Sequence, residues 1–126
     1  MDRKPTVLIC DDEADLLSIY ASALKKQYKV LTADSGKACI ENYMKYTLRG
    51  NKIDILLLDY RLGDSTGDDI ACKICELDGT KIILISAMDL EKEKVDKLKA
   101  SNCIIDVIVK PVSMKALMGK VQQALD

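Results

Sequence analysis

Short apolar runs alternate with amphipathic segments along the whole chain. The runs are rich in branched aliphatic residues and most lack polar alternation, which indicates strands covered on both faces. The predicted strands are residues 5–10, 28–32, 53–59, 81–86 and 104–109.

Between and after these runs, apolar residues recur at the three- and four-residue spacing of helices. The residues expected to form the inner faces of the five helices are Leu16, Leu17, Tyr20 and Leu24; Ile40, Tyr43, Met44 and Thr47; Ile70, Ile74 and Leu77; Leu90, Val95 and Leu98; and Met114, Leu117, Met118, Val121 and Leu125.

Local signals predict where the helices begin and end. These signals are Lys25 and Lys26 in a last turn, a start at Asp34-Ser35-Gly36, an end at Gly50, a capping-box-like start from Thr66 to Asp69, an end near Gly79, and Asp89 as the cap of a charged helix over 90–101.

Strand and helix therefore alternate five times, without a repeat, linker or low-complexity segment. Such alternation predicts the α/β class, with a parallel sheet and helices on both of its faces. The length of 126 residues is that of one domain, so residues 1–126 are expected to form a single domain with its own core.

Composition removes several classes of function. The chain contains no histidine, which excludes histidine acid–base chemistry, histidine metal ligands and most hydrolase triads. Its formal net charge of −1 gives no reason to expect nucleic-acid binding. No signal peptide is recognisable and no apolar run approaches the ~18 residues of a membrane span, so no membrane partner is expected.

The five cysteines are scattered at positions 10, 39, 72, 75 and 103. An odd number in apolar contexts is more typical of a reducing cytoplasm than of a disulfide framework. Cys72 and Cys75 match a CxxC pattern, but they fall within a predicted helix, and a zinc site would need further ligands. We therefore expect these thiols to act as packing residues.

Polar residues stand where the predicted strands end. Asp11 and Asp12 follow the first strand, Asp59 ends the third, Ser86 ends the fourth and Lys110 follows the fifth. Each residue alone could cap a helix, complete a turn or be solvated. In a parallel sheet, however, all these ends lie on one edge, where ligands bind. Their joint arrangement predicts a site there.

Three neighbouring carboxylates repel one another, so a cation should neutralise them. With oxygen ligands alone, Mg²⁺ is the best candidate. An aspartate can attack phosphorus to form an aspartyl phosphate, and the cation and Lys110 would spread the charge on the transferring group.

The combination of motifs resembles the receiver domain of two-component response regulators, of the chemotaxis-regulator type. The resemblance extends from Val7 to Leu125. It rests on Ile9-Cys10-Asp11-Asp12-Glu13, Leu57-Leu58-Asp59, Gly67 eight residues after Asp59, Ile85-Ser86-Ala87 and Val109-Lys110-Pro111.

This resemblance implies a flavodoxin-like, doubly wound sheet of five strands in the order 2-1-3-4-5 with five helices. It implies that Asp59 is the phosphoacceptor, with Ser86 and Lys110 contacting the phosphoryl group. Asp12 would bind Mg²⁺ directly and Asp11 through water, and Asp59 and the Arg61 carbonyl would complete the ligands. Ala87 would leave access for the phosphoryl group. The Lys110–Pro111 peptide bond is expected to be cis.

The sequence also departs from the family pattern. Gly63 stands where the family commonly has proline, which predicts a more mobile loop. Val107 stands where many members have an aromatic switch residue, so the usual coupling of serine to an aromatic ring is not expected. Arg61 and Met88 occupy positions that tune phosphoryl hydrolysis in the family, although Arg61 could equally be a solvated arginine.

The resemblance predicts a phosphorylation-dependent signalling switch in a phosphorelay. It would be no enzyme beyond Mg²⁺-dependent self-phosphorylation and autodephosphorylation. The alternative is a degenerate pseudo-receiver that only mediates protein contacts. A haloacid-dehalogenase-like phosphatase would need an aspartate where Arg61 stands. In a flavodoxin-like flavin module, Asp11-Asp12-Glu13 would repel the phosphate.

The expected phosphodonor is a histidine kinase or phosphotransfer protein, because this chain has no histidine. The protein would be cytoplasmic. The receiver would either act alone through a downstream protein partner or belong to a chain whose output domain is missing. The charged helix over 90–101 and the last helix are expected to face such a partner, although their alternating charges are also typical of a solvated face.

Overall fold

The computed structural model describes residues 4–77, 80–87, 90–100 and 104–126. It contains the strands and helices that the apolar pattern predicts, with four differences at their bounds. β2 is shifted by one residue, β1 begins one residue later than predicted, and β3 and α4 each begin two residues later. In chain order they are β1 Thr6–Cys10, α1 Ala14–Leu24, β2 Lys29–Ala33, α2 Gly36–Leu48, β3 Ile55–Asp59, α3 Gly67–Leu77, β4 Lys81–Ser86, α4 Lys92–Ala100, β5 Ile104–Val109 and α5 Met114–Leu125. The predicted signals at Gly79 and Asp89, together with Met88 and Cys103, lie outside the described residues.

The five strands form one sheet in the order β2-β1-β3-β4-β5, and every neighbouring pair is parallel. This confirms the doubly wound, flavodoxin-like fold. The register places Asp59 beside Ile85 and Ser86 beside Val109. The carboxyl ends of β1, β3, β4 and β5 therefore meet at one edge, as the polar residues at the strand ends predict.

The alternation of side chains along the strands divides the core into two layers. Leu8, Leu56 and Leu84 point to one face of the sheet and pack with residues of α2 and α3. Ile9, Leu57 and Ile83 point to the other face and pack with residues of α1 and α5. The strands of the sheet centre, β1 and β3, are buried along their whole length. Their rigidity fixes the position of the acids at their ends.

Three of the predicted helix features are wrong. Met44 is 41% exposed and Leu77 is 53% exposed, because the inner faces of α2 and α3 are carried by Cys39 with Tyr43 and by Ile70 with Ile74. Met44 directly follows the core residue Tyr43 and is rotated from it by about 100° around the helix, whereas Leu77 is the last residue of α3. Lys25 and Lys26 follow α1 rather than forming its last turn.

The expectation that every cysteine is a packing thiol is wrong for Cys75, which is disulfide-bonded. Cys10 and Cys39 are free and buried, as expected, and Cys72 is free but exposed. A disulfide requires that two Cα atoms approach to about 4.4–6.8 Å, and sequence spacing does not show such an approach.

The two edge strands, β2 and β5, differ from the regular interior of the sheet. The pairing of β4 with β5 shifts between Ile82 and Ile83, so that Ile105 has no opposite residue. On β2, the side-chain amide of Asn42 donates a hydrogen bond to the Thr32 carbonyl at 3.0 Å. No helix among the described residues is long and apolar enough to cross a membrane.

Candidate phosphorylation and metal site

Three carboxylates converge at the carboxyl edge of the sheet. Asp11 and Asp12 follow β1 and Asp59 ends β3, and one oxygen of each lies within 4.8 Å of the others. Asp11 and Asp59 are buried, whereas Asp12 is exposed. Asp11 is held in place because its Oδ1 accepts a hydrogen bond of 2.9 Å from the Glu13 amide. The structure thus brings together the three acids that the sequence predicts.

Lys110 is the cation of this cluster. Its Nζ lies 3.4 Å from Asp11 Oδ2 and 3.5 Å from Asp59 Oδ2, and only 14% of its side chain is exposed. The Lys110 amide donates to the Ser86 carbonyl at 2.7 Å, which ties the end of β5 to the end of β4. The Lys110–Pro111 peptide bond is cis, as expected.

The electrostatics of the cluster are dominated by burial and crowding. Burial and the charge of Asp11 raise the pKa of Asp59 to about 6, and Lys110 only partly offsets them. Burial would lower the pKa of Lys110, but the carboxylates of Asp59 and Asp11 outweigh it and raise that pKa. One lysine therefore does not neutralise three carboxylates, and the site favours a further cation.

A cavity of about 360 Å³ opens onto these groups. It is lined by Asp12, Glu13, Asp59, Tyr60, Arg61, Ser86, Ala87 and Lys110. Asp11 is 2% exposed and is not one of the residues that line the cavity. All protein ligands available here are oxygens, the donor set that a hard divalent cation prefers. The residues therefore fit Mg²⁺.

Gly67 has a steric role that its place in the motif alone does not explain. A Cβ atom on this residue would lie 2.8 Å from the Asp59 carbonyl oxygen and 3.0 Å from the Tyr60 Cα. Its amide donates to the Tyr60 carbonyl at 2.6 Å. The start of α3 is thus pressed against the backbone that carries Asp59, and only glycine leaves enough space.

The loop after Asp59 is attached to α2, a contact that the sequence analysis missed. Gly63 has φ +78°, a conformation that glycine adopts readily. The next residue, Asp64, accepts hydrogen bonds from the backbone amides of Gly36 at 2.9 Å and Lys37 at 3.1 Å. These bonds lower the pKa of Asp64. Aspartate near a helix start is a sequence signal for capping, but only for the helix that follows it.

Tyr60 links the site to α4, and the sequence analysis missed this contact as well. Its hydroxyl accepts a hydrogen bond from Lys94, whose Nζ lies 4.8 Å from the ring centroid and 3.6 Å from Asp68 Oδ2. Val107 packs against the same core layer as Tyr60. Aromatic contact with α4 therefore comes from the residue after Asp59, while β5 contributes the smaller Val107.

Comparisons with known proteins agree with this geometry. The model of the response regulator receiver domain matches residues 7–122. The nisin biosynthesis regulatory protein NisR of Lactococcus lactis is 30% identical over 119 residues, which are 92% of this chain and 48% of that protein. The chain spans about half the length, or less, of the first curated relatives that it matches.

Solved structures share the fold. Chemotaxis protein CheY4 of Vibrio cholerae superposes with a TM-score of 0.85 at 20% identity, covering 98% of this chain and 100% of that one. A CheY-like receiver domain protein of Methanospirillum hungatei gives a TM-score of 0.84 at 22% identity, covering 98% of this chain and 95% of that one. With its fold, its acidic edge and the match over residues 7–122, the chain belongs to the response regulator receiver domain family.

Proposed function

We propose that this protein is a phosphorylation-dependent switch of a two-component phosphorelay and that Asp59 accepts the phosphoryl group. The observation that carries this proposal is the position of Asp59. Among the aspartates that the structure describes, it is the one that ends a central strand, lines the cavity of about 360 Å³ and lies 3.5 Å from Lys110. Membership of the receiver family supports phosphorylation-based signalling.

The chemistry follows from these groups. A carboxylate oxygen of Asp59 forms a bond to phosphorus while the bond from phosphorus to the donor, a phosphohistidine nitrogen, breaks, and the histidine leaves. Lys110 stabilises negative charge on the phosphoryl oxygens, and the Ser86 hydroxyl is at the cavity wall to donate to one of them. Water attack on phosphorus later releases phosphate and restores the carboxylate.

Mg²⁺ fits the same site. Its ligands would be Asp11, Asp12, Asp59 and the backbone carbonyl of Arg61. Arg61 lines the cavity. When bound, the ion neutralises the crowded carboxylates and the incoming phosphoryl oxygens. By resemblance to the family, Asp12 and Asp59 would bind the ion directly and Asp11 would act through water.

We propose further that residues 1–126 act as one receiver domain, in the cytoplasm, and that the phosphodonor is a histidine kinase or a phosphotransfer protein. A downstream protein, or an output domain in a longer chain, would read the phosphorylated state. In a reducing cytoplasm, the disulfide at Cys75 would be expected in its thiol form.

The test is incubation with Mg²⁺ and a small acyl phosphate, followed by intact-mass measurement. We expect one phosphoryl adduct that is labile to hydroxylamine, as an acyl phosphate is. Asp59→Asn should abolish the adduct, whereas Asp15→Asn, on the exposed start of α1, should keep it. The absence of an adduct on the unaltered protein, or an undiminished adduct on Asp59→Asn, would leave a pseudo-receiver as the better description.

A further inference from the structure

A basic groove lies beside the edge strand β2, between that strand and α2. Two neighbouring cavities, of about 410 and 250 Å³, share Tyr46 in their walls. The first also contains Lys4 and Lys29, and the second contains Lys45 and Arg49. We call the surface formed by these four cations and Tyr46 the basic groove. Among the residues that the structure describes, no carboxylate lines either cavity.

The four cations lack the usual compensation by acids. Among the described residues, no ion pair to a carboxylate is found for Lys4, Lys29, Lys45 or Arg49. The chain as a whole has 19 basic and 20 acidic residues, so a four-cation groove without a carboxylate is a local exception. The nearby Asp54 carboxylate accepts a hydrogen bond from the Thr6 amide at 2.7 Å and lies outside the lining.

Two arrangements in the groove concentrate its charge. Lys45 and Arg49 are four residues apart in sequence, at the end of α2, and both line the smaller cavity. Like charges at this helical spacing repel each other. On the strand side, Lys29 Nζ lies 5.3 Å from the centroid of the Tyr46 ring. A cation of β2 thus lies over the Tyr46 ring, and two cations at the end of α2 line the neighbouring cavity that Tyr46 shares.

The groove also offers neutral hydrogen-bond donors. Asn51 and Tyr28 line the larger cavity, and the Tyr46 hydroxyl is 3.4 Å from the Thr6 hydroxyl. Amide, phenol, ammonium and guanidinium groups together can bind several phosphate oxygens. A single monovalent anion would not use both cavities.

We propose that the basic groove binds a small polyphosphate anion, either an inorganic triphosphate or the phosphate chain of a nucleoside triphosphate. Lys45 and Arg49 would bind one end of the phosphate chain, and Lys4 and Lys29 the other. Binding would relieve the repulsion at the end of α2. The groove shares no lining residue with the cavity at Asp59, so the proposal does not depend on phosphorylation of Asp59.

The test is calorimetric titration with sodium tripolyphosphate and, separately, with ATP, in EDTA so that no divalent ion can bridge the ligand to the acidic site. We expect saturable 1:1 binding. Lys45→Glu/Arg49→Glu should weaken it about tenfold or more, as loss of about 1.4 kcal/mol of binding free energy does. Lys45→Gln/Arg49→Gln should weaken it less.

Lys97→Glu/Lys115→Glu is the matched control, since it changes the net charge equally at exposed positions outside the groove. Binding by this control and by Asp59→Asn should remain close to that of the unaltered protein. Circular dichroism would verify that each variant is folded. Equal affinities for both ligands indicate contact through phosphates alone, and tighter ATP binding indicates added contact with the nucleoside; both support the proposal. No saturable binding, or equal losses in the groove variant and the control, would overturn it.

Discussion

The Asp64 carboxylate, five residues after the proposed phosphoacceptor, accepts a hydrogen bond of 2.9 Å from the Gly36 amide at the start of α2. It complements Ser35, whose hydroxyl accepts from the Ala38 amide at 3.0 Å. The first turn of α2 is therefore capped from two separate segments of the chain. One of them is the loop that leaves the candidate site, so the conformation of that loop and the start of α2 are linked.

Replacing Asp64 should expose the start of α2. With Asp64→Ala, the amides of Gly36 and Lys37 lose their acceptor, and we expect roughly fivefold faster hydrogen exchange at both, the usual scale of a lost cap. Ser35→Ala is the comparison, because it should accelerate exchange at Ala38 instead. Unchanged exchange at Gly36 in Asp64→Ala would show that water replaces the carboxylate without cost.

The same contact predicts a pH dependence. Hydrogen bonds from Gly36 and Lys37 hold the pKa of Asp64 below its usual value, so its contribution to stability is present above the unfolded pKa and is lost as pH falls through the folded pKa. An acid titration followed by NMR should show the Gly36 and Lys37 amides shifting together with the Asp64 carboxyl. In Asp64→Asn these amide shifts should disappear from the acidic range.

Alanine substitutions at two glycines, one crowded and one not, test how tightly α3 packs against the backbone of Asp59. Gly67→Ala should lower the free energy of unfolding by about 1–3 kcal/mol, because its Cβ would meet backbone atoms that cannot move aside. Gly119→Ala, on α5, meets no atom within 4 Å and should raise stability by about 0.5–1 kcal/mol. Urea denaturation measures both. A neutral effect at Gly67 would argue against the tight approach of α3 to the site.

The charged carboxylate of Asp59 should destabilise the folded protein when no cation is bound. Its pKa is raised to about 6, so stability from this group is fully present below the unfolded pKa and declines as pH rises through the folded pKa. In EDTA near pH 7.5, Asp59→Asn should therefore raise the free energy of unfolding by roughly 1–3 kcal/mol.

The control for this gain is Asp54→Asn. Asp54 accepts a hydrogen bond from the Thr6 amide, so removal of its charge should lower stability rather than raise it. If Asp59→Asn is less stable than the unaltered protein in EDTA, electrostatic crowding does not dominate the site.

Tyr60 should stabilise α4. Tyr60→Phe keeps the buried ring but removes the hydroxyl that Lys94 contacts, a loss of about 1 kcal/mol that should speed exchange of α4 amides about fivefold. Lys97→Met is the control on the same helix. Among the described residues, that lysine pairs with exposed Glu93 alone, so its loss should have little effect. Equal protection of the α4 amides in Tyr60→Phe and in the unaltered protein would show that the Tyr60 hydroxyl does not stabilise α4.

Periodicity was sufficient to predict the sheet because each strand is a short apolar run with a polar end, and parallel pairing gathers those ends. Asp11, Asp59 and Lys110 could be placed together on that basis. Tyr60 with Lys94 and Asp64 with Gly36 could not, since these contacts join segments 34 and 28 residues apart through side-chain conformations. The disulfide at Cys75 could not be predicted for the same reason, because a disulfide depends on which cysteines lie close together in the folded chain.

The edge strands also determine how the sheet meets other protein molecules. Open strand edges invite pairing with a second chain and, at high concentration, aggregation. On β2 the Thr32 carbonyl is already occupied by Asn42, and on β5 the extra residue Ile105 interrupts the ladder where Asp106 pairs with Lys99 and Lys120. These features hinder strand addition at both edges, which favours approach of other molecules through the helices or the loops. The domain is thereby less prone to aggregate through the edges of its sheet.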